Sequence, residues 1–146
     1  MSTFFLAQLS NASHAHPYVP VWDFDAPTPA GSPPLRDASA GMIAANGLLL
    51  LHQILHNNSP YLDAVVRIAK ETLDYCLSSD NVQFEVDTEG KVIVPSAERD
   101  QWDGILMHST ANNNEDALHR YSDHGLVYAD YYFLELGNKM LRMGLV

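Results

Sequence analysis

A chain of 146 residues, 47% apolar and 10% aromatic, has the composition of one folding domain or part of one and not of a disordered segment. Its 18 acidic against 8 basic residues give a formal charge of -10, which argues against a phosphate-binding surface and so against nucleic acid as a partner. The lone Cys76 cannot close an internal disulfide, and no apolar run reaches the length of a membrane span, so the expectation is a soluble, reduced, cytoplasmic chain with no membrane partner.

The first element is a short helix near 3–9, carrying Phe4, Phe5, Leu6 and Leu9 with no strong cap before it, as if the end of a longer helix. Met1 and the residues after it lack the positive start and apolar core of a signal peptide. From Ser10 to Leu35 the chain carries Pro17, Pro20, Pro27, Pro29, Pro33 and Pro34 and reads as one long loop. A second helix spans 38–55, capped by Asp37 or Ser39, with Ile43, Gly47, Leu50, Leu51 and Ile54 on one stripe. Gly41 and Gly47 within it predict close backbone packing against a neighbouring helix.

Ser59 and Pro60 open a third helix over 60–78, with Leu62, Val65, Val66, Ala69, Leu73, Cys76 and Leu77 at helical spacing. The period then changes: Val82–Val86 and Lys91–Val94 flank Asp87-Thr88-Glu89-Gly90 as a small β-hairpin insertion. A last helix over 125–143 should bury Leu126, Val127, Tyr131, Leu134 and Leu141. The fold class is therefore all-α.

Three polar segments preceding or joining helices are the candidates for chemistry. In Val21–Pro27, Trp22 offers a flat face for a sugar ring and Asp23 and Asp25 accept hydroxyl hydrogen bonds; against this stands the use of Trp22 and Phe24 as core anchors. Arg36 beside Asp37 suits either a substrate carboxylate or an internal ion pair that fixes the loop, and the internal reading carries more weight. His108, Ser109 and the Asn112-Asn113-Asn114 run present neutral donors and acceptors of the kind sugar hydroxyls need.

The paired acids (Asp23 with Asp25, Glu115 with Asp116, Asp123 with Asp130) have no sequence reason for a raised pKa. The histidines His14, His16, His108, His119 and His124 lack metal-ligand spacing, so no metal and no cofactor is expected. A Ser109-His108-Asp123 triad lacks a nucleophile elbow.

Trp22-Asp23-Phe24-Asp25-Ala26-Pro27, then Arg36-Asp37-Ala38-Ser39-Ala40-Gly41, then Ala129-Asp130-Tyr131-Tyr132-Phe133-Leu134-Glu135, in that order and spacing, resemble the C-terminal portion of glycoside hydrolase family 88, the unsaturated glucuronyl hydrolases, of fungal type. The resemblance implies about the last third of an (α/α)6 barrel. It implies action on oligosaccharides ending in a 4,5-unsaturated uronic acid, by hydration of the double bond. The two family aspartates that do this lie upstream of the segments matched here, so no catalytic residue is assigned to this chain and it is expected to be inactive alone. Ser109 is the residue the resemblance places toward the sugar, with His108 and Asn112 as neighbours and Trp22, Asp23 and Arg36 as further substrate-binding candidates. The rival expectation is a non-catalytic carbohydrate-binding or interaction protein derived from the same barrel. In either case a barrel cut to a third exposes apolar helix faces and should self-associate.

Overall fold

The computed structural model describes residues 1–12, 14–56, 59–79, 85–93 and 104–146. Four helices carry the fold: α1 (Ser2–Ser10), α2 (Ala38–Ile54), α3 (Tyr61–Cys76) and α4 (Val127–Arg142). Two short strands, β1 (Glu85–Val86) and β2 (Val92–Ile93), pair antiparallel around a turn in which the Asp87 carboxylate accepts from the Glu89 and Lys91 amides. The rest of the segment read as a hairpin lies outside the described residues.

The helix starts follow from local side-chain chemistry. Asp37 is the N-cap of α2, its carboxylate accepting from the Ser39 amide at 3.1 Å and the Ser39 hydroxyl at 2.6 Å. At α3 the expected cap moves by one residue: Pro60 is the half-in position and the helix begins at Tyr61. Ser59 serves instead as a tie, its Oγ 3.0 Å from His52 Nδ1, so the short connection is held back onto α2.

That connection makes α2 and α3 an antiparallel pair, with Gly41 lying against Ile68. α4 packs on α2 as well, but runs parallel to it. The buried Asn46 donates to the Tyr132 carbonyl and accepts from Lys139 Nζ, and about two turns further along α2 Gln53 meets Met143. The first residues of α1 touch the first residue of α3, through Ser2 and Tyr61. The starts of α2 and α4 and the end of α3 therefore converge at one end of the molecule, called the pole below.

Which faces are buried corrects the sequence reading. In α2 the core side is Met42, Ala45, Leu48 and Leu49, whereas the expected stripe points outward, with Leu50 55% and Ile54 61% exposed. In α4 the buried residues are Ala129, Leu136 and Met140, while Val127 is 82% and Leu134 53% exposed. Both helices are apolar on two sides, and a period-based reading finds whichever stripe is bulkier. The glycines divide too. A Cβ on Gly41 would meet Pro20 Cδ at 3.1 Å, so the close neighbour there is the ring of a loop proline more than a helix, and nothing lies near Gly47.

Asp130, in the first turn of α4, accepts from the amides of Ile105 and Leu106 at 3.0 and 2.9 Å and so clamps the incoming loop to the helix. The approach is tight at Gly104, where an added Cβ would lie 3.1 Å from the same carboxylate and would push against the clamp. Asp130→Ala should lower unfolding free energy by about 2 kcal/mol, the loss of two charge-assisted bonds, as read by urea denaturation. Cys76 is fully buried, and burial pushes its thiol up to about 12. A thiol reagent should therefore leave it unmodified in the folded chain and label it only in denaturant.

Candidate functional site

The pole is built by two loops meeting over the end of α3. The first, residues 11–37, contains too many prolines to form a helix and is ordered instead around one buried cation. Arg36 is 6% exposed; Nη1 donates to the Val19 carbonyl at 2.7 Å and the His16 carbonyl at 3.3 Å, and Nη2 donates to the Ala15 carbonyl at 2.6 Å. Nη1 also lies 3.3 Å from His14 Nε2, and the guanidinium carbon sits 5.8 Å from the Tyr75 ring centroid. Of the two readings of Arg36, the structure thus contains the internal one, but with carbonyls in place of an ion pair, because Asp37 is occupied in capping α2.

The second loop, residues 104–126, folds back on itself through antiparallel bridges between Ser109 and His124 and between Asn112 and Tyr121. The His108 carbonyl accepts from the Ala38 amide, joining this loop to the start of α2. The His108 ring stacks on Tyr75 at 4.7 Å, and His16 from the first loop stacks on Tyr75 at 5.0 Å, giving a three-ring column at the end of α3. His108 Nδ1 lies 2.7 Å from Asp123 Oδ1. His16, His108 and Asp123 all hold left-handed backbone, with φ of 55°, 61° and 55°. Such conformations are uncommon for residues other than glycine and concentrate where side-chain placement matters.

The geometry gives part of the discounted triad and withholds the rest. Asp123 can fix the His108 tautomer with its proton on Nδ1, directing the ring's basic lone pair to Nε2. Ser109 is fully buried, however, and its Oγ has no hydrogen-bond partner, so it is not joined to His108 as a nucleophile would be. His124 Nε2, across the bridge from Ser109, is likewise buried without a partner. Two buried polar atoms without partners on paired residues are unusual in a folded interior.

Trp22 and Asp23 stand elsewhere. They line an open cleft of about 580 Å³ between α1, the proline-rich loop and Asn113. The structure therefore brings Trp22 and Asp23 together with the asparagine run, through Asn113, and brings His108 and Ser109 together at the pole. Asn112 belongs to the bridge region: its backbone pairs with Tyr121 and its Oδ1 accepts from the Asn114 amide. Arg36 lies beneath both places and faces neither solvent nor cleft.

Sequence reasoning passed over Tyr75, which looked like one more helical position, and weighed His14 and His16 only as metal ligands. Among the described residues no three His, Cys, Asp or Glu side chains group as a metal would require. The signal available for the two histidines was their spacing about Ala15, which sets the His14 ring against Arg36 and the His16 ring against Tyr75 once that cation takes the Ala15 and His16 carbonyls.

With an all-helical fold and a polar pole in view, comparison with known proteins gives a distant link to one class of carbohydrate-cleaving enzyme. The chain is 33% identical over 119 residues to the unsaturated glucuronyl hydrolase of Formosa agariphila, an alignment that takes in 80% of this chain and 24% of that protein. The chain thus spans about a quarter of its curated relative. No family model matches it, and no solved structure matches it. No described helix is long and apolar enough to cross a membrane.

Proposed function

We propose that this chain forms the C-terminal part, about the last third, of an (α/α)6 barrel of the unsaturated uronyl hydrolase type, with the β1–β2 turn as an insertion. The observation that carries this is the pair of parallel helices α2 and α4, each apolar on two sides, with α3 running back along α2. Alternation of parallel inner helices with returning outer ones is what such a barrel requires, and an inner helix must be apolar beyond the single stripe of a surface helix. The likeness to the Formosa hydrolase supports the same reading.

In this reading the pole faces an oligosaccharide whose non-reducing end is a 4,5-unsaturated uronic acid. An aspartate outside this chain protonates the double bond and water adds at C5. The hemiketal so formed opens, and the glycosidic bond is lost. His108, oriented by Asp123 and Tyr75, is this chain's contribution, holding a sugar hydroxyl beside the reacting ring, and the fully buried Ser109 supports it from beneath through the bridge to His124.

The test is turnover of an unsaturated glycosaminoglycan disaccharide, followed as loss of the ultraviolet absorbance of its conjugated double bond. The chain alone should give none, and joining it in place of the matching quarter of the Formosa enzyme should give activity that falls at least tenfold in the His108→Ala chimera. Turnover by the isolated chain that vanishes in Asp130→Asn or Asp23→Asn would overturn the proposal, as would a folded chimera with no activity.

A further inference from the structure

We infer that the cleft between α1 and the proline-rich loop is an accessory binding site for an uncharged pyranose ring, separate from the pole. The inference rests on the carbohydrate reading above but concerns a different place and needs no turnover.

Its lining is uncharged to a degree unexpected in a chain of net charge -10. Gln8 and Asn11 come from the end of α1, Asn113 from the second loop, and Trp22 from the first, and among the described residues no lysine or arginine faces the space. The amides offer both donors and acceptors, as hydroxyl and acetamido groups need, while Trp22 supplies the flat apolar surface on which one face of a pyranose lies. Asp23 is the single carboxylate among the described residues of the lining. One of its oxygens accepts from the Asp25 amide, which orients the group so that the other can accept from sugar hydroxyls while repelling a uronate.

Among the described residues His14 is the only basic side chain on the lining, and it is held neutral. Burial first and the Arg36 cation second lower its pKa below the ordinary histidine value. The contacts agree: Arg36 Nη1 donates to Nε2, and Nδ1 lies 3.1 Å from the Ala15 carbonyl, which places the one ring proton on Nδ1. A cleft with no cation, one anion and three amides discriminates against anionic sugars. Its volume, about 580 Å³, falls in the range of small-molecule sites.

The measurement uses the full chain with Trp102→Phe, which leaves Trp22 as its single indole. Its fluorescence is followed on titration with the methyl glycosides of glucose, galactose, mannose and N-acetylglucosamine, and with glucuronate at matched ionic strength. At least one neutral glycoside should give a saturable change, with glucuronate at least fivefold weaker. Asn113→Ala and Gln8→Ala should each weaken the neutral ligand by about two- to tenfold, the loss of one hydrogen bond, while His108→Ala leaves it unchanged. Circular dichroism checks that each variant is folded.

No response to any neutral glycoside, equal response to glucuronate, or binding indifferent to both amide variants would overturn the assignment. The two readings fail separately. An active chimera with no neutral-sugar binding removes the accessory site and leaves the proposed function. Neutral-sugar binding with an inactive chimera does the reverse.

Discussion

Arg36→Ala should lower unfolding free energy by roughly 3 kcal/mol, the largest loss expected from any single surface-to-loop contact in this chain. The side chain is 6% exposed and supplies bonds to the carbonyls of Ala15, His16 and Val19. Removing it takes the charged donor from the carbonyl of fully buried Val19, the expensive direction of hydrogen-bond loss, while the His16 carbonyl keeps the Val19 amide and the Ala15 carbonyl keeps His14 Nδ1. Arg36→Lys should recover little, because a single ammonium cannot reach carbonyls that the planar fork meets from two nitrogens at once. Urea denaturation supplies the magnitude. Near-ultraviolet circular dichroism of the Tyr75 region should change in the same variants, since Arg36 lies over that ring. A loss under about 1 kcal/mol would mean that the loop is ordered by its prolines alone.

The second large effect concerns association. The isolated chain should sediment as oligomers, and Leu50→Lys together with Leu134→Lys should return it to monomers. Both leucines are more than half exposed, on the outward faces of α2 and α4, and they are flanked by Ile43, Ile54, Val127 and Leu141, which are also exposed. A leucine side chain taken from water contributes about 1.5–3 kcal/mol, so each substitution should weaken association by about ten- to a hundredfold. Circular dichroism should show that helix content survives, because neither residue belongs to the buried side of its helix. A native chain that runs as a monomer and melts in one sharp transition would count against these faces as contact surfaces.

The same two faces explain how much of the fold was legible. For α3 the sequence stripe meets the buried side at Val65 and Cys76, with Leu62 and Ala69 partly buried, whereas Val66, Leu73 and Leu77 are exposed and the buried Ala64, Ile68 and Thr72 lie beside the stripe. For α2 and α4 the stripe was legible as apolar but not as outward-facing. Periodicity finds a face, and only packing says which of two faces this chain covers. Asp37 as a cap was readable from residue type and position.

The site was legible in pieces. Trp22, Asp23, His108 and Ser109 were singled out by chemistry, but their separation into a cleft and a pole depends on contacts remote in sequence. Asp123 was noted as a possible acid pair with Asp130 and, with His108 and Ser109, as a triad that was discounted. Its actual partner, His108, is fifteen residues away across a folded-back loop. Arg36 illustrates the general difficulty: a guanidinium suits a ligand carboxylate and three backbone carbonyls equally well, and nothing local decides between them.

The connection between α2 and α3 has a consequence in time. Contacts in that pair join near neighbours in the chain, as between His52 and Ser59, seven residues apart, and so need little loop closure. The contacts that seat α4 on α2 span 86 and 93 residues. The α2–α3 pair should therefore order early and α4 should dock late. During the interval α2 has neither its Asn46 partners nor the cover of α4, and both of its apolar sides are open to any other chain emerging nearby. The yield of folded protein should then depend on chain concentration during synthesis, not only on the stability of the finished fold.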